Sequence, residues 1–166
     1  EEKLLSFCVP WLRQLVKAAL ATGCRQGELL AAQWQHIDFD LGVLAIPDSK
    51  TGESRRVPLP SELLQELWER RGLPNAFVFC DTRGKPLAPR RVQRAFQKAC
   101  VRAGLVGFRF HDLRHICASR LLEAGAALPE VAAVLGHKTL AVAQRYTHVK
   151  WDRLRMLVEE ASKMET

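Results

Sequence analysis

The 166-residue chain holds one tyrosine and three isoleucines, against 24 leucines and 20 alanines. Few β-branched and aromatic residues beside many helix formers favour helix over sheet. The five cysteines (Cys8, Cys24, Cys80, Cys100, Cys117) are scattered and form no C-x-x-C pair. That pattern fits free thiols in a reducing compartment and argues against a zinc site. No run approaches the ~20 apolar residues of a membrane-spanning helix, and no signal peptide heads the chain. The expectation is a cytoplasmic protein that makes no use of a membrane. Acids are nearly missing from one stretch: Arg83 to Arg114 carries nine Lys/Arg and a single acid, Asp112.

The length suits one domain with a core of its own. Lys plus Arg is 25 and Asp plus Glu is 18, giving a net charge of +7 and a pI of about 9.5. A basic domain suggests a polyanionic partner, most often nucleic acid. Solubility could explain the net charge, but not its uneven placement. The chain opens Glu1-Glu2-Lys3 without methionine, so it is read as a piece of a longer protein. Residues 1–166 are read as one domain, without repeats or an internal linker.

Leu12, Leu15, Val16, Ala19 and Leu20 recur at helical spacing, predicting a core helix over 9–21 that Thr22-Gly23 stops. A short helix follows near 27–33. Residues 43–46, 55–59 and 76–79 then read as short strands, with Lys50-Thr51-Gly52 turning between the first two. Leu63, Leu64, Leu67 and Trp68 mark a helix opened by Pro60-Ser61. Helices are predicted over 88–103, 111–124, 128–135, 139–146 and 151–163, the third bracketed by Pro129 and Gly136. The expected fold is mostly α with a small antiparallel β-sheet.

On the 88–103 helix, Arg90, Arg91, Arg94, Lys98 and Arg102 fall within an arc of about 120°. Val92, Phe96, Ala99, Cys100 and Ala103 fall opposite. A merely solvated face usually mixes Glu with Lys. This one has no acid, which favours phosphate contact.

His111 and His115 have the i, i+4 spacing of a metal pair. No acid-rich partner segment accompanies them, and neighbouring arginines would repel a cation. His111 and Arg114 together, one turn apart, suit a phosphate better, because the guanidinium fork matches two phosphate oxygens. Arg25 stands at the mouth of a helix after Thr22-Gly23-Cys24, near a positive helix end. His137 follows Leu135-Gly136 at a helix end, and the lone tyrosine, Tyr146, comes nine residues later. By itself that tyrosine could equally be a satisfied core residue.

The segments TGCRQGELLAAQW (22–34), SKTGESRRVPL (49–59), HDLRHICAS (111–119) and LGHKTLAVAQRYTHV (135–149) have the order and spacing of another group of proteins. From about residue 8 to 160 the chain resembles the catalytic domain of the tyrosine recombinases, or phage integrases. The core-binding domain that usually precedes it in that family is absent from these residues.

The resemblance implies roles. Arg25 and Arg114 resemble the two arginines that hold the non-bridging oxygens of a scissile phosphate. Lys50 resembles the mobile lysine that protonates the leaving 5′ oxygen. His111 resembles the histidine that assists proton transfer, and His137 a hydrogen-bond donor to the phosphate. Tyr146 resembles the nucleophile, forming a 3′-phosphotyrosine without metal, other cofactor or ATP. Double-stranded DNA is the implied substrate, with no small molecule. A homotetramer exchanging C-terminal helices is the implied assembly, and a bacterial or phage-encoded cytoplasmic protein the implied setting. Trp151, Leu154, Leu157, Val158 and Ala161 form the apolar face of that last helix, which could pack in cis or in trans.

Other residues carry smaller expectations. Arg55 and Arg56 flank the sheet and are read as DNA-backbone contacts, with Arg90, Arg91, Arg94, Lys98 and Arg102. His115 is read as structural, His148 as shaping the loop after Tyr146, His36 as surface, and Trp34 and Trp151 as core. Two other readings stay open. One is a DNA-binding module that has lost catalysis. The other is a relative of the type IB topoisomerases or telomere resolvases.

Overall fold

Helix α2 (Pro10–Thr22) is the central helix, in contact with four others. In the computed structural model, residues 1–47 and 54–136 are described. Pro10 at the first turn and Gly23 at the end bracket α2, the glycine adopting φ +63° and donating to Ala19 O. Leu12, Leu15, Val16, Ala18, Ala19 and Leu20 are all buried. Such burial on three sides lets the helix pack against α3 (Gln26–Ala31), α4 (Ser61–Glu69), α5 (Pro89–Ala103) and α6 (Asp112–Glu123).

The sheet has three antiparallel strands in the order β1 (Ile37–Asp38), β2 (Val43–Ile46), β3 (Arg55–Pro58). Register pairs Leu44 with Val57 and Ile46 with Arg55. Leu44, Ile46 and Val57 point into the core. Helix α7 (Leu128–Leu135) packs against both β3 and α6. Gly136 caps α7 in the left-handed region at φ +67°. A short helix α1 (Glu2–Ser6) lies against α5.

The mostly helical fold with one small antiparallel sheet matches the sequence expectation, but the third strand does not lie where it was placed. Residues 76–79 are not in the sheet. They pair instead with the linker after α3: Trp34 N–H donates to Ala76 O, Val78 N–H to Ala32 O, and Gln33 bridges Phe77. Pro74, whose carbonyl takes the Gln35 N–H, turns the chain just before this segment, so only isolated bridges form. The apolar run of Val78 and Phe79 is still buried. The sheet takes β1 in its place, a two-residue strand too short to leave a period in sequence. Helix α3 starts at Gln26 and stops at Ala31, ahead of a 3-10 turn (Trp34–His36). Trp34 is core, as expected. His36 is half-buried rather than on the surface, its Nδ1 accepting the Gln33 N–H. The expected turn at 50–52 and the expected helices over 139–146 and 151–163, with His148 and Trp151, lie outside the described residues.

Candidate active site

Four chain segments meet where α2 ends. They are the turn from α2 into α3, the start of β3, the first turn of α6, and the C-terminus of α7. Helix α6 carries Arg114 one turn from its start, on the side facing α2. The residue is 3% exposed. A buried cation is costly unless it is met by acceptors. Here Nη1 donates to Gly23 O at 2.7 Å and Nη2 to Leu135 O at 2.5 Å. These carbonyls lie at the C-terminal ends of α2 and α7, where helix dipoles concentrate negative potential. The two helix ends thus hold the guanidinium. Side chains of α6 and α7 both press on Gly23: a Cβ there would fall on Leu135 Cδ2 and 3.1 Å from Cys117 Sγ.

Arg25 is the N-cap of α3, two residues beyond Gly23. Its backbone N–H donates to Glu28 Oε2 at 2.6 Å and its Nη1 to Glu28 Oε1 at 2.9 Å. Arg55, opening β3, donates to the same carboxylate through Nη1 (2.9 Å) and Nη2 (2.8 Å). The Glu28 side chain is 16% exposed, Arg55 19% and Arg25 49%. One carboxylate therefore joins its neighbour Arg25 to Arg55, which lies 27 residues beyond Glu28 in the chain. Burial pushes the Glu28 pKa up, but the Arg55 bonds, the Arg25 N–H and the Arg25 guanidinium outweigh it and hold it at about 2.

His111 precedes α6 as its N-cap and is exposed, its ring edge-to-face with His115 at 5.2 Å. Its pKa is lowered, first by loss of water around the ring, then by the charges of His115, Arg114 and Arg25, against the pull of Asp112. His111, Arg114 and Arg25 therefore share one electrostatic neighbourhood. Among the described residues no group of three or more His, Cys, Asp or Glu could hold a metal ion, and no helix is long and apolar enough to cross a membrane.

The structure brings Arg25, His111 and Arg114 together at the end of α2. Lys50, His137 and Tyr146 lie outside the described residues. Gly136, the last described residue before His137 in sequence, caps α7 against Arg55. Arg55 opens β3, an edge strand of the sheet, and its side chain is 19% exposed. It is turned inward onto Glu28. Glu28 is the residue that sequence reasoning passed over. Its signal was available: an acid three residues after an N-cap position reaches back to the cap N–H.

Helix α5 presents the cationic face read from sequence. Arg90, Arg91, Arg94, Lys98 and Arg102 are exposed, and Val92, Phe96, Ala99, Cys100 and Ala103 are buried. Arg91 differs from the others. It reaches Asp81 Oδ2 at 3.5 Å and lies 5.3 Å from the Trp11 ring centroid. Arg56 is exposed on β3.

A mostly helical domain with this three-stranded sheet has the catalytic-domain fold of the tyrosine recombinases, as its relatives make plain. The phage integrase family pattern matches residues 1–153, and the chain belongs to that family. It is 37% identical over 133 residues to the shufflon-specific DNA recombinase of Escherichia coli, covering 80% of this chain and 33% of that one. It is 32% identical over 159 residues to tyrosine recombinase XerA of Pyrococcus furiosus, covering 92% of this chain and 55% of that one. Among solved structures it superposes on the XerH site-specific recombinase bound to its difH substrate in a pre-cleavage complex. The TM-score is 0.73 at 27% identity, over 98% of this chain and 51% of that one. The chain thus spans from a third to just over half the length of the two curated relatives.

Proposed function

We propose that these residues form the catalytic domain of a site-specific DNA recombinase, cutting and rejoining double-stranded DNA through a 3′-phosphotyrosine. Tyr146 Oη attacks the scissile phosphorus, and the P–O5′ bond breaks. The 5′ oxygen leaves with a proton from Lys50, while the phenolic proton passes to His111 or to water. Arg25 and Arg114 face the non-bridging oxygens, whose charge grows in the pentavalent transition state. His137 donates a further hydrogen bond to them. The new ester keeps the energy of the broken bond. A 5′ hydroxyl from another strand reverses the step, so the chemistry requires neither ATP nor a metal-bound nucleophile.

The observation that carries this reading is the convergence of Arg114, Arg25 and His111 at the end of α2, with Arg114 fixed by two carbonyls. Preorganised cations suit a developing phosphorane, because they need no reorganisation when the charge appears. The exposed face of α5 supports the DNA substrate, since arginines and a lysine in one stripe, of which Arg91 alone meets an acid among the described residues, match a phosphate backbone. Assembly as a tetramer on DNA, with the C-terminal segment docking on a neighbour, belongs to the same reading, as does action in the cytoplasm.

Covalent trapping tests it. The protein is incubated with supercoiled plasmid in EDTA, quenched with detergent, and examined for protein attached to DNA. An adduct that disappears in Tyr146→Phe supports the tyrosine nucleophile. DNA binding without any adduct, in the full-length protein as well, favours a DNA-binding module without catalysis.

A further inference from the structure

Arg55 was read from sequence as a DNA-backbone contact, and its surroundings point elsewhere. Both terminal nitrogens donate to Glu28, and Nε faces Val134 O at 3.4 Å. On its other side stands Gly136. A Cβ there would lie 2.8 Å from Arg55 Cδ and Nε and 2.9 Å from Cζ. The α7 cap is therefore seated directly on the guanidinium. Among the described residues, Arg55 joins three elements: β3, which carries it; α3, through Glu28; and the end of α7, through Val134 and Gly136.

We propose that Arg55 is a positioning residue: it holds Glu28, and through Glu28 the Arg25 end of the site, in fixed relation to the C-terminus of α7. The inference rests on the recombinase reading only for its consequence in catalysis. Both tips of the Arg55 fork meet one carboxylate, which neutralises its charge, whereas the carbonyls that hold Arg114 leave that charge for a phosphate. The same pair decides where Arg25 can go, because the Glu28 carboxylate accepts the Arg25 backbone N–H and its guanidinium as well. Removing Arg55 would leave a half-buried carboxylate held by Arg25 alone. Arg25, which already gives that carboxylate one guanidinium bond, would then be its main counter-ion and be drawn further toward it. The α7 cap would also lose the surface on which it sits, at the residue before His137. Lysine could replace the charge but not the two parallel bonds.

The test separates contact from positioning. Fluorescence anisotropy with a 30-base-pair duplex, measured across a salt series, gives the number of phosphates neutralised. Arg94→Gln is the reference for a true contact, and its log–log salt slope falls by about 0.9. Arg55→Gln is expected to leave the slope unchanged and the affinity within twofold. A fall like that of Arg94→Gln overturns the proposal. Plasmid adduct formation in Arg55→Gln is expected to fall on the order of 10²-fold, the scale of a misplaced catalytic group. The double variant Arg55→Gln/Glu28→Gln should fall no further than Arg55→Gln alone, whereas independent roles would multiply. Arg55→Lys should recover only part of the rate.

A readout independent of chemistry guards against failure of the recombinase reading. Carbon-13 titration of the Glu28 carboxyl should move from about 2 in the native protein toward the ordinary 4.5 in Arg55→Gln, with the Gly136 amide resonance shifting as well. Wild-type adducts that are absent altogether would sink the phosphotyrosine chemistry and leave the Arg55 assignment to the salt slope and this titration. An unchanged Glu28 titration and an unmoved Gly136 amide would sink the Arg55 assignment whatever the adducts show.

Discussion

Arg114 Nη1 lies 2.7 Å from the carbonyl oxygen of Gly23, across 91 residues of sequence. The same side chain binds Leu135 O. One guanidinium therefore closes the ends of α2 and α7, and any change at Arg114 acts on stability as well as on a phosphate. Arg114→Met keeps volume but leaves two buried carbonyls short of a donor. The expected loss is about 3 kcal/mol, from unsatisfied acceptors of ~1–3 kcal/mol each. Urea denaturation followed by circular dichroism measures it. A loss under 0.5 kcal/mol, below ~1 kcal/mol for even one acceptor, would show that water or other groups replace the guanidinium without cost.

Acid should loosen the domain through Glu28. Its folded pKa is depressed to about 2, below the ordinary 4.5. A depressed carboxylate contributes stability that is fully present above its unfolded pKa and is lost as pH falls through the folded value. The loss therefore runs from about pH 5 down to pH 2, and amounts to at most about 3 kcal/mol. Urea midpoints of wild type and Glu28→Gln, measured from pH 6 to pH 2, should converge at the acid end. Parallel curves would count against the Glu28–Arg55 pair as the source.

Two glycines separate conformational need from open space. At Gly136, φ is +67° and a Cβ meets the Arg55 side chain. Gly136→Ala should cost about 1–3 kcal/mol from left-handed strain and crowding. Gly27 has ordinary φ and nothing within 4 Å of a Cβ. Gly27→Ala, in α3, should be neutral or stabilising by about 0.5–1 kcal/mol. Thermal denaturation of both variants checks the contrast, and equal effects would contradict it.

The basic residues on α5 should not be equal on DNA. Arg94 and Lys98 are exposed with no ion pair among the described residues, whereas Arg91 is engaged by Asp81 and Trp11. Replacing Arg94 or Lys98 by Gln should each lower the salt slope of duplex binding by about 0.9. Arg91→Gln should lower it less, because Arg91 already neutralises a carboxylate. Equal slopes for all three would mean that the Asp81 contact opens on binding.

The helices that were legible in sequence are those whose faces are unmixed. The stripe on α5 places five cations opposite five buried residues, and no packing partner was needed to see it. Strands β2 and β3 were legible for a similar reason: four-residue runs bounded by turn residues carry their own period. Strand β1 was not, because two residues hold no period. The 76–79 segment misled because a buried apolar run looks the same whether it pairs in a sheet or lies against a loop. Arg25, His111 and Arg114 were identified by motif, as residue types at fixed spacing.

The sequence by itself determined the fold class, the family, the cationic face and the residue types offered to a phosphate. These depend on local periodicity and on short ordered motifs, which a chain carries without its partners. Only the tertiary structure decided that Arg114 is buried between two helix ends, that Glu28 is the acid joining Arg25 to Arg55, and that Arg55 faces inward beneath Gly136. An arginine's side chain is long enough to turn toward solvent or toward a carboxylate from the same backbone position. The position of an acid on another element settles which, and that position exists only once the chain has folded.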